Sequence, residues 1–281
     1  MRTSAPRWTS LRIIVVSRVG RAHNYTMATG EDPRYRLPSR ARRADRSAAL
    51  RVRRGMRAVI CVALALCASV TADAQTSAVI DEGTLMISTG GVPVGRESFR
   101  IVRAPGPGGQ VFRAQSQSAI GVRRITTTLS TDSLGAPVSY DATTLERGET
   151  VERLRGRGRP DRFSALVQNS RAESSREYLV QPGTILLDDD VFHHFHFVAA
   201  AVIDSIVTVI VPRAARTERL RLVRHGPVAL PIGDRTITAT RLALVDSAGG
   251  RREFWLDPRG RLLRVSIPAQ GIVAVRDDPP R

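Results

Sequence analysis

Lysine is absent from this chain, aromatic residues are scarce, and cysteine is confined to one short stretch. All 43 basic side chains are arginine, aromatics make up 5% of the 281 residues, and the two cysteines are Cys61 and Cys67. Because no cysteine follows residue 67, a disulfide-stapled domain is excluded. No apolar run reaches the roughly 18 residues that a membrane-spanning helix needs. The hydrophobic content of 42% excludes a wholly disordered chain.

The positive charge is concentrated at the N-terminal end. Residues 1–74 contain 15 Arg and 4 acids, a net charge of +11, whereas residues 75–281 contain 28 Arg and 22 acids, a net charge of +6. A formal charge of +17 would ordinarily point to nucleic acid. Since most of the excess lies outside residues 75–281, we expect no nucleic-acid binding by that part.

Residues 56–74 have the layout of a secretory signal peptide. Met56-Arg57 is a short positive start, residues 58–68 are apolar, and Ala72-Asp73-Ala74 precedes Gln75. Small residues three and one positions before the cut fit the signal-peptidase pocket. The pattern predicts cleavage between Ala74 and Gln75 and a periplasmic or secreted protein.

Two other interpretations of this stretch are less favoured. A buried core helix has a similar length but leaves the Ala-x-Ala triplet and the flanking arginines unexplained. Leu64-Ala65-Leu66-Cys67 resembles a lipoprotein motif, yet Leu66 stands where a small residue is wanted. Membrane anchoring through Cys67 is therefore not expected.

Residues 1–55 form a basic segment with little periodicity, and we exclude them from the fold. The simplest interpretation is a start codon assigned too far upstream, with Met27 or Met56 as the true start. The alternative is a disordered basic arm that binds nucleic acid or anionic lipid.

From Gln75 onward the chain alternates apolar and polar residues between Gly-, Pro- and Asp-rich turns. The regular spacing predicts one all-β domain over residues 75–281, mainly antiparallel, built as a strongly curved meander sheet or half-barrel with at most one or two short helices. Residues 191–201 could be a short helix or a buried strand. The predicted strands are 84–88, 99–103, 111–117, 124–130, 138–146, 150–156, 161–169, 174–180, 205–212, 217–224, 234–246, 251–257, 261–267 and 271–276.

Many of these strands have one apolar face and one face of Arg, Thr, Gln or Ser. An antiparallel sheet with one solvated face gives this pattern. A curved sheet with an apolar concave side gives it too, and such a sheet either closes on a core or leaves a hydrophobic groove.

Three segments carry a resemblance to a known group of proteins. They are Gly91–Glu97, with glycines four apart, Leu186–Phe197, and the hairpin Phe254–Val265. Over residues 79–276 the chain resembles bacterial periplasmic β-rich domains of unknown function, similar to the half-barrel of lipoprotein-carrier and lipid-binding proteins. The resemblance implies a periplasmic protein without enzymatic activity. It would bind a lipid or another hydrophobic small molecule, or serve as an envelope component among other envelope proteins.

The densest set of chemically active side chains is Asp188, Asp189, Asp190, His193, His194 and His196. Asp188, Asp190, His194 and His196 are candidate metal ligands, since Asp and His suit zinc and similar ions, and His194 and His196 would share a face on a strand. A metal-dependent hydrolase centred on Asp188–His196 is the alternative function. The spacing matches no recognised metalloenzyme motif, so we favour turn-forming aspartates and packed histidines, with no cofactor.

Other catalytic signatures are missing, because the sequence has no G-x-S-x-G and no phosphate-binding loop motif. No catalytic residue or ligand-binding residue can be assigned. Arg155-Gly156-Arg157-Gly158-Arg159 could bind phosphate or an anionic lipid head group, but a solvated hairpin tip is the favoured interpretation. Phe254 and Trp255 are adjacent on a strand and must face opposite ways. One is expected in the core, while the other could line a groove or lie on a covered edge, and core burial is the favoured prediction for either.

Overall fold

The protein is a succession of β-strands joined by short turns, as described by a computed structural model for residues 77–281 except 107–108 and 202–204. The basic segment, the signal-peptide stretch with Cys67, and Ala72, Ala74 and Gln75 lie outside the described residues. The strands are β1 (Ala78–Thr89), β2 (Val92–Gly106), β3 (Gly109–Ile120), β4 (Arg123–Thr131), β5 (Pro137–Glu146), β6 (Glu149–Gly158), β7 (Arg162–Asn169), β8 (Glu173–Leu179), β9 (Thr184–Leu186), β10 (Ile206–Val211), β11 (Arg216–Ile232), β12 (Arg235–Val245), β13 (Arg251–Leu256), β14 (Leu262–Ile267) and β15 (Ile272–Arg276). Two 3₁₀ segments, His193–Ala200 and Pro268–Gln270, complete the described elements.

The strands of the described residues form a single sheet of 15 strands. One meander runs from β1 to β8 and the other from β9 to β15, and the two are joined where β1 pairs with β15. Every pairing is antiparallel except that of β9 with β10. In the β1–β15 pair, Leu85 lies opposite Arg276 and Ile87 opposite Ala274.

The sheet is strongly curved, because its two edge strands are neighbours in the chain. β8 ends at Leu179 and β9 begins at Thr184, and a link of this length spans at most about 18 Å. Arg176 Nη1 on β8 donates to the carbonyl oxygen of Ala215 across the gap, at 3.4 Å. The edges approach without pairing, so the sheet does not close into a barrel. This confirms the predicted all-β, curved meander architecture.

The apolar face of each strand turns toward the inside of the curve. On β4, Ile125, Thr127 and Leu129 are buried while Arg124 and Thr126 are exposed. Equivalent side chains from nearly all strands form one apolar cluster. Burying each large aliphatic side chain stabilises the fold by about 1.5–3 kcal/mol, so the period-two pattern sets the direction in which the sheet curves.

A second, smaller apolar cluster lies on the outer side of the sheet around Trp255. Leu230, Ile232, Ala239 and Leu263 pack there, while the adjacent Phe254 belongs to the inner cluster. The guanidinium groups of Arg241 and Arg264 lie over the indole at 5.8 and 4.9 Å. Phe254 and Trp255 therefore face opposite ways and are both buried, as predicted.

Several parts of the fold differ from the sequence-based expectation, including β1 and β2, which extend well beyond the predicted strands 84–88 and 99–103. β11 continues past residue 224 to Ile232 through Gly226-Pro227, and its register against β12 shifts between Arg224 and Pro227. The three-residue strand β9 was not predicted. For residues 191–201 the strand alternative is wrong, because His193–Ala200 is a 3₁₀ helix.

Candidate functional site

The inside of the curved sheet is occupied by the chain's own segment 187–200, which we call the interior segment. Its side chains Phe192, Phe195, Phe197 and Val198 are buried. The ring of Phe195 lies 5.6 Å from that of Phe254 on β13, and His193 stacks on Phe99 of β2 at 5.9 Å. The interior segment thus contacts well-separated parts of the sheet and fills the space a groove would need.

Glu97 fixes the interior segment to β2. One carboxylate oxygen accepts a hydrogen bond from the backbone N–H of Phe192 at 2.7 Å, and the other lies 2.6 Å from Nδ1 of His193. Both side chains are fully buried. A buried carboxylate is tolerated only when its oxygens are hydrogen-bonded, and here both oxygens are.

Asp188 is the centre of a second buried group of polar side chains. Its Oδ2 accepts hydrogen bonds from the hydroxyl of Tyr140 at 2.7 Å and from Nε of Arg213 at 2.6 Å. Burial raises the pKa of the Asp188 carboxyl, although the Arg213 charge opposes this. Burial, reinforced by the Asp188 charge, raises the pKa of Tyr140 well above its usual value. The tyrosine is therefore a neutral hydrogen-bond donor.

His194 is held in its neutral form beside Asp188. Its Nδ1 accepts the backbone N–H of Asp188 at 3.3 Å, which places the ring proton on Nε2. Burial, together with the nearby His193 and Arg213, lowers the pKa of His194 well below its usual value. The rings of His193 and His194 are 4.6 Å apart, so the Glu97 and Asp188 groups adjoin one another.

The three consecutive aspartates each face a different arginine. Asp188 pairs with Arg213, Asp189 with Arg216 at 2.9 Å, and Asp190 with Arg123 at 3.0 Å. Asp190 also has a positive φ of 61°, so it reverses the chain at this point. Arginines thus occupy the positions near the carboxylates that a metal ion would need.

The candidate metal ligands are not brought together. Asp188, Asp190 and His194 have the separate partners just described. His196 lies elsewhere, near Asp257 and Gly260. Burial lowers the pKa of His196 to about 4. In residues 77–281, apart from the two gaps, no three His, Cys, Asp or Glu side chains are placed to hold a metal ion. The chemistry this arrangement supports is the anchoring of one segment by buried charge.

The arginine–glycine run at residues 155–159 is mostly strand rather than loop. Arg155, Arg157 and both glycines belong to β6, so the hairpin-tip interpretation is wrong for them. A Cβ on Gly156 would lie 2.2 Å from the ring of Phe163, and one on Gly158 2.4 Å from the carbonyl oxygen of Pro137. The glycines are needed for packing, and the arginines between them project from the exposed face.

A cavity of about 730 Å³ lies between β1, the β11–β12 turn and residues 278–281. Four carboxylates and four arginines line it: Asp81, Glu82, Asp234, Asp278, Arg235, Arg261, Arg276 and Arg281. Sites for apolar ligands are lined mainly by apolar side chains with a few polar groups. The mixed charge of this cavity does not match a hydrophobic ligand.

No family model matches the chain, and no curated protein matches it. A solved structure of a β-barrel-like protein of the domain of unknown function DUF1849 from Brucella abortus is similar, with 13% identity and a TM-score of 0.46. That match covers 70% of this chain and 95% of the other. Within the part that the structure describes, no helix is long and apolar enough to span a membrane.

Sequence reasoning missed Glu97, Tyr140 and Arg213 as partners of the interior segment. One signal was available for Glu97, which occupies the inner register of β2 together with Phe99 and Ile101. A charged residue at an apolar position of a period-two pattern indicates a buried partner. No comparable signal marks Arg213, because it follows strand β10 in a turn.

Proposed function

We propose that this chain is an exported, non-catalytic β-sheet protein of the cell envelope, which acts by binding rather than by chemistry. The observation that carries the proposal is the interior segment. The most reactive side chains, Asp188, His193 and His194, are at most 5% exposed and are hydrogen-bonded to other residues of the protein. A catalytic group must reach its substrate, and the partners of these buried groups include Glu97, Tyr140 and Arg213 of the same chain.

The expected hydrophobic or lipidic ligand has less support than the envelope role. Acyl chains inside the sheet would need the volume that Phe192, Phe195 and Phe197 now occupy. A space of about 20 Å³ remains beside Asp188 and Phe195, which is room for about one water molecule. We therefore place a carrier role second to that of an envelope component.

Intact mass spectrometry of the natively exported protein tests this proposal. We expect a chain that begins at Gln75 and carries neither lipid nor metal under native conditions. A co-purifying lipid would restore the carrier role, and a bound metal ion would restore the hydrolase. A chain that begins upstream of Met56 would remove the basis for export.

A further inference from the structure

Seven arginines project from the exposed side of strands β2 to β6. They alternate with buried residues such as Ile101, Ala114 and Leu154, so their direction follows from the strand pleat. We call this surface the arginine face; its arginines are Arg96, Arg100, Arg113, Arg124, Arg153, Arg155 and Arg157, and Asp141 on β5 lies among them.

The strand register arranges these residues in rows across the sheet. One row runs Arg100, Gln115, Thr128, Asp141, Arg155, and its neighbour runs Val102, Arg113, Ser130, Ser139, Arg157. Arg153, Arg155 and Arg157 lie two residues apart on β6, a spacing of about 7 Å. At about 4.8 Å per strand, β6 lies about 19 Å from Arg100 on β2. Hydroxyl and amide side chains and the carboxylate of Asp141 occupy the positions between the arginines of these rows.

The charge of the arginine face is largely uncompensated. Arg157 pairs with Asp141 at 3.1 Å, and Arg100 lies 3.6 Å from Glu82. The other five, Arg96, Arg113, Arg124, Arg153 and Arg155, have no carboxylate within 4 Å among the described residues. Clustered cations of this kind create a positive potential that attracts an anionic partner.

The rows contain no aromatic side chain. Binding of a neutral sugar or of single-stranded nucleic acid by ring stacking has no platform here. Val92 on β2 and Val138 on β5 are large apolar side chains more than two-fifths exposed, but neither belongs to the two rows. The rows themselves therefore present no strongly exposed apolar side chain for insertion into a membrane. The complementary partner carries negative charge and hydroxyl groups.

We propose that the arginine face binds an extended anionic polysaccharide. Carboxylate, phosphate or sulfate groups of the polymer lie on the arginines, and its hydroxyls lie on the intervening row of Thr, Gln and Ser. The face is on the convex side of the sheet, since the interior segment fills the concave side. A flat membrane meets a convex surface along a line, whereas a flexible polymer follows the curvature across several rows.

The test uses the full chain and three variants that leave the N-terminal basic segment unchanged. The first variant is R113Q/R153Q/R155Q, whose three arginines have no carboxylate partner, so we expect normal folding. The matched control is R219Q/R221Q/R224Q on β11, which removes three exposed arginines from the other meander. The third variant, R113K/R153K/R155K, retains the charge. Polygalacturonate is the probe, dextran is the neutral polymer, and anionic phospholipid vesicles and single-stranded DNA are the competing polyanions.

We expect polygalacturonate to bind with an affinity that decreases steeply with salt, and dextran not to bind. The first variant should lose about tenfold in affinity and show a shallower salt dependence, since three charge contacts are gone, while the other two stay within about threefold. Equal losses in the first variant and the β11 control would overturn the proposal. So would absence of polygalacturonate binding, or tighter binding of vesicles or DNA that depends on the same three arginines.

Discussion

Gly83 on β1 leaves the space into which the guanidinium of Arg276 fits. A Cβ on residue 83 would lie 2.6 Å from Nη2 of Arg276. That guanidinium is buried, pairs with Asp81 at 2.8 Å and also donates to the carbonyl oxygen of Leu262. It lies 5.5 Å from the centre of the Phe99 ring. The absence of a side chain at Gly83 thus permits the buried ion pair between Arg276 and Asp81.

The substitution G83A should destabilise the protein by about 2–3 kcal/mol, because the guanidinium must move and leave Asp81 buried with a weakened partner. Urea unfolding measures this change. The control is G226A, since a Cβ on Gly226 would meet nothing within 4 Å. Equal destabilisation by both substitutions would show that backbone freedom, and not the Arg276 site, is responsible.

Removal of the Glu97 carboxylate should release the interior segment. E97A leaves the N–H of Phe192 and the ring of His193 buried without their partner, so we expect a loss of about 3 kcal/mol. E97Q retains one acceptor and should lose less. Hydrogen exchange at Phe192 should accelerate more than exchange on β6. The exposed neighbour Glu82 gives the control E82A, and unchanged exchange at Phe192 in E97A would contradict the assigned anchoring role.

The Asp188 group should respond unequally to loss of its two donors. Y140F removes one hydrogen bond while Arg213 remains, and should cost about 1–2 kcal/mol. R213M leaves a buried carboxylate without its cation and should cost about 3–5 kcal/mol. R162Q, which removes an exposed partner of Glu177, should cost less than about 1 kcal/mol. The measurement is the free energy of unfolding of each variant. The loss of stability should be largest for R213M, smaller for Y140F and smallest for R162Q, and a different order would contradict the assigned roles.

Stability should decrease as the pH falls from 6.5 toward 4. The pKa of His196 is lowered to about 4 and that of His194 is also lowered, both by burial, so the unfolded chain binds more protons over this range. The contribution of the neutral imidazole rings of His194 and His196 to the folding free energy is fully present above about pH 6.5. For His196 the loss between pH 7 and pH 5 is about 2 kcal/mol, and the raised pKa of Asp188 opposes it in part.

H196Q should flatten this pH dependence, as urea unfolding at pH 5 and pH 7 will measure. H225Q is the control, since it changes a histidine outside the interior segment. A pH dependence that H196Q leaves intact would assign the effect to other groups.

The sheet could be read from the sequence because its signals are local. Alternation places Ile125, Thr127 and Leu129 on one face, and Asp257 makes its own turn by accepting the backbone N–H groups of Arg259 and Arg261. Strand β9 lacked such a signal, since three buried residues show no alternation.

The interior contacts could not be read in the same way. Glu97 and His193 are 96 residues apart, and although the inner position of Glu97 indicates a buried partner, nothing in the local pattern identifies that partner as His193. The composition of the interior segment was evident, but whether its aspartates face metal or arginine depends on the positions of Arg123, Arg213 and Arg216 in the folded sheet.

The pairing of β1 with β15 constrains how the protein is assembled. The first and last described strands form the seam between the two meanders, and Asp81 meets Arg276 across 195 residues. Each meander can add strands by local hairpins, but the seam cannot form until the ribosome has released β15. Contacts between such distant residues slow folding. The continuity of the sheet therefore depends on two strands at opposite ends of the described residues, so neither meander can complete the sheet without the other.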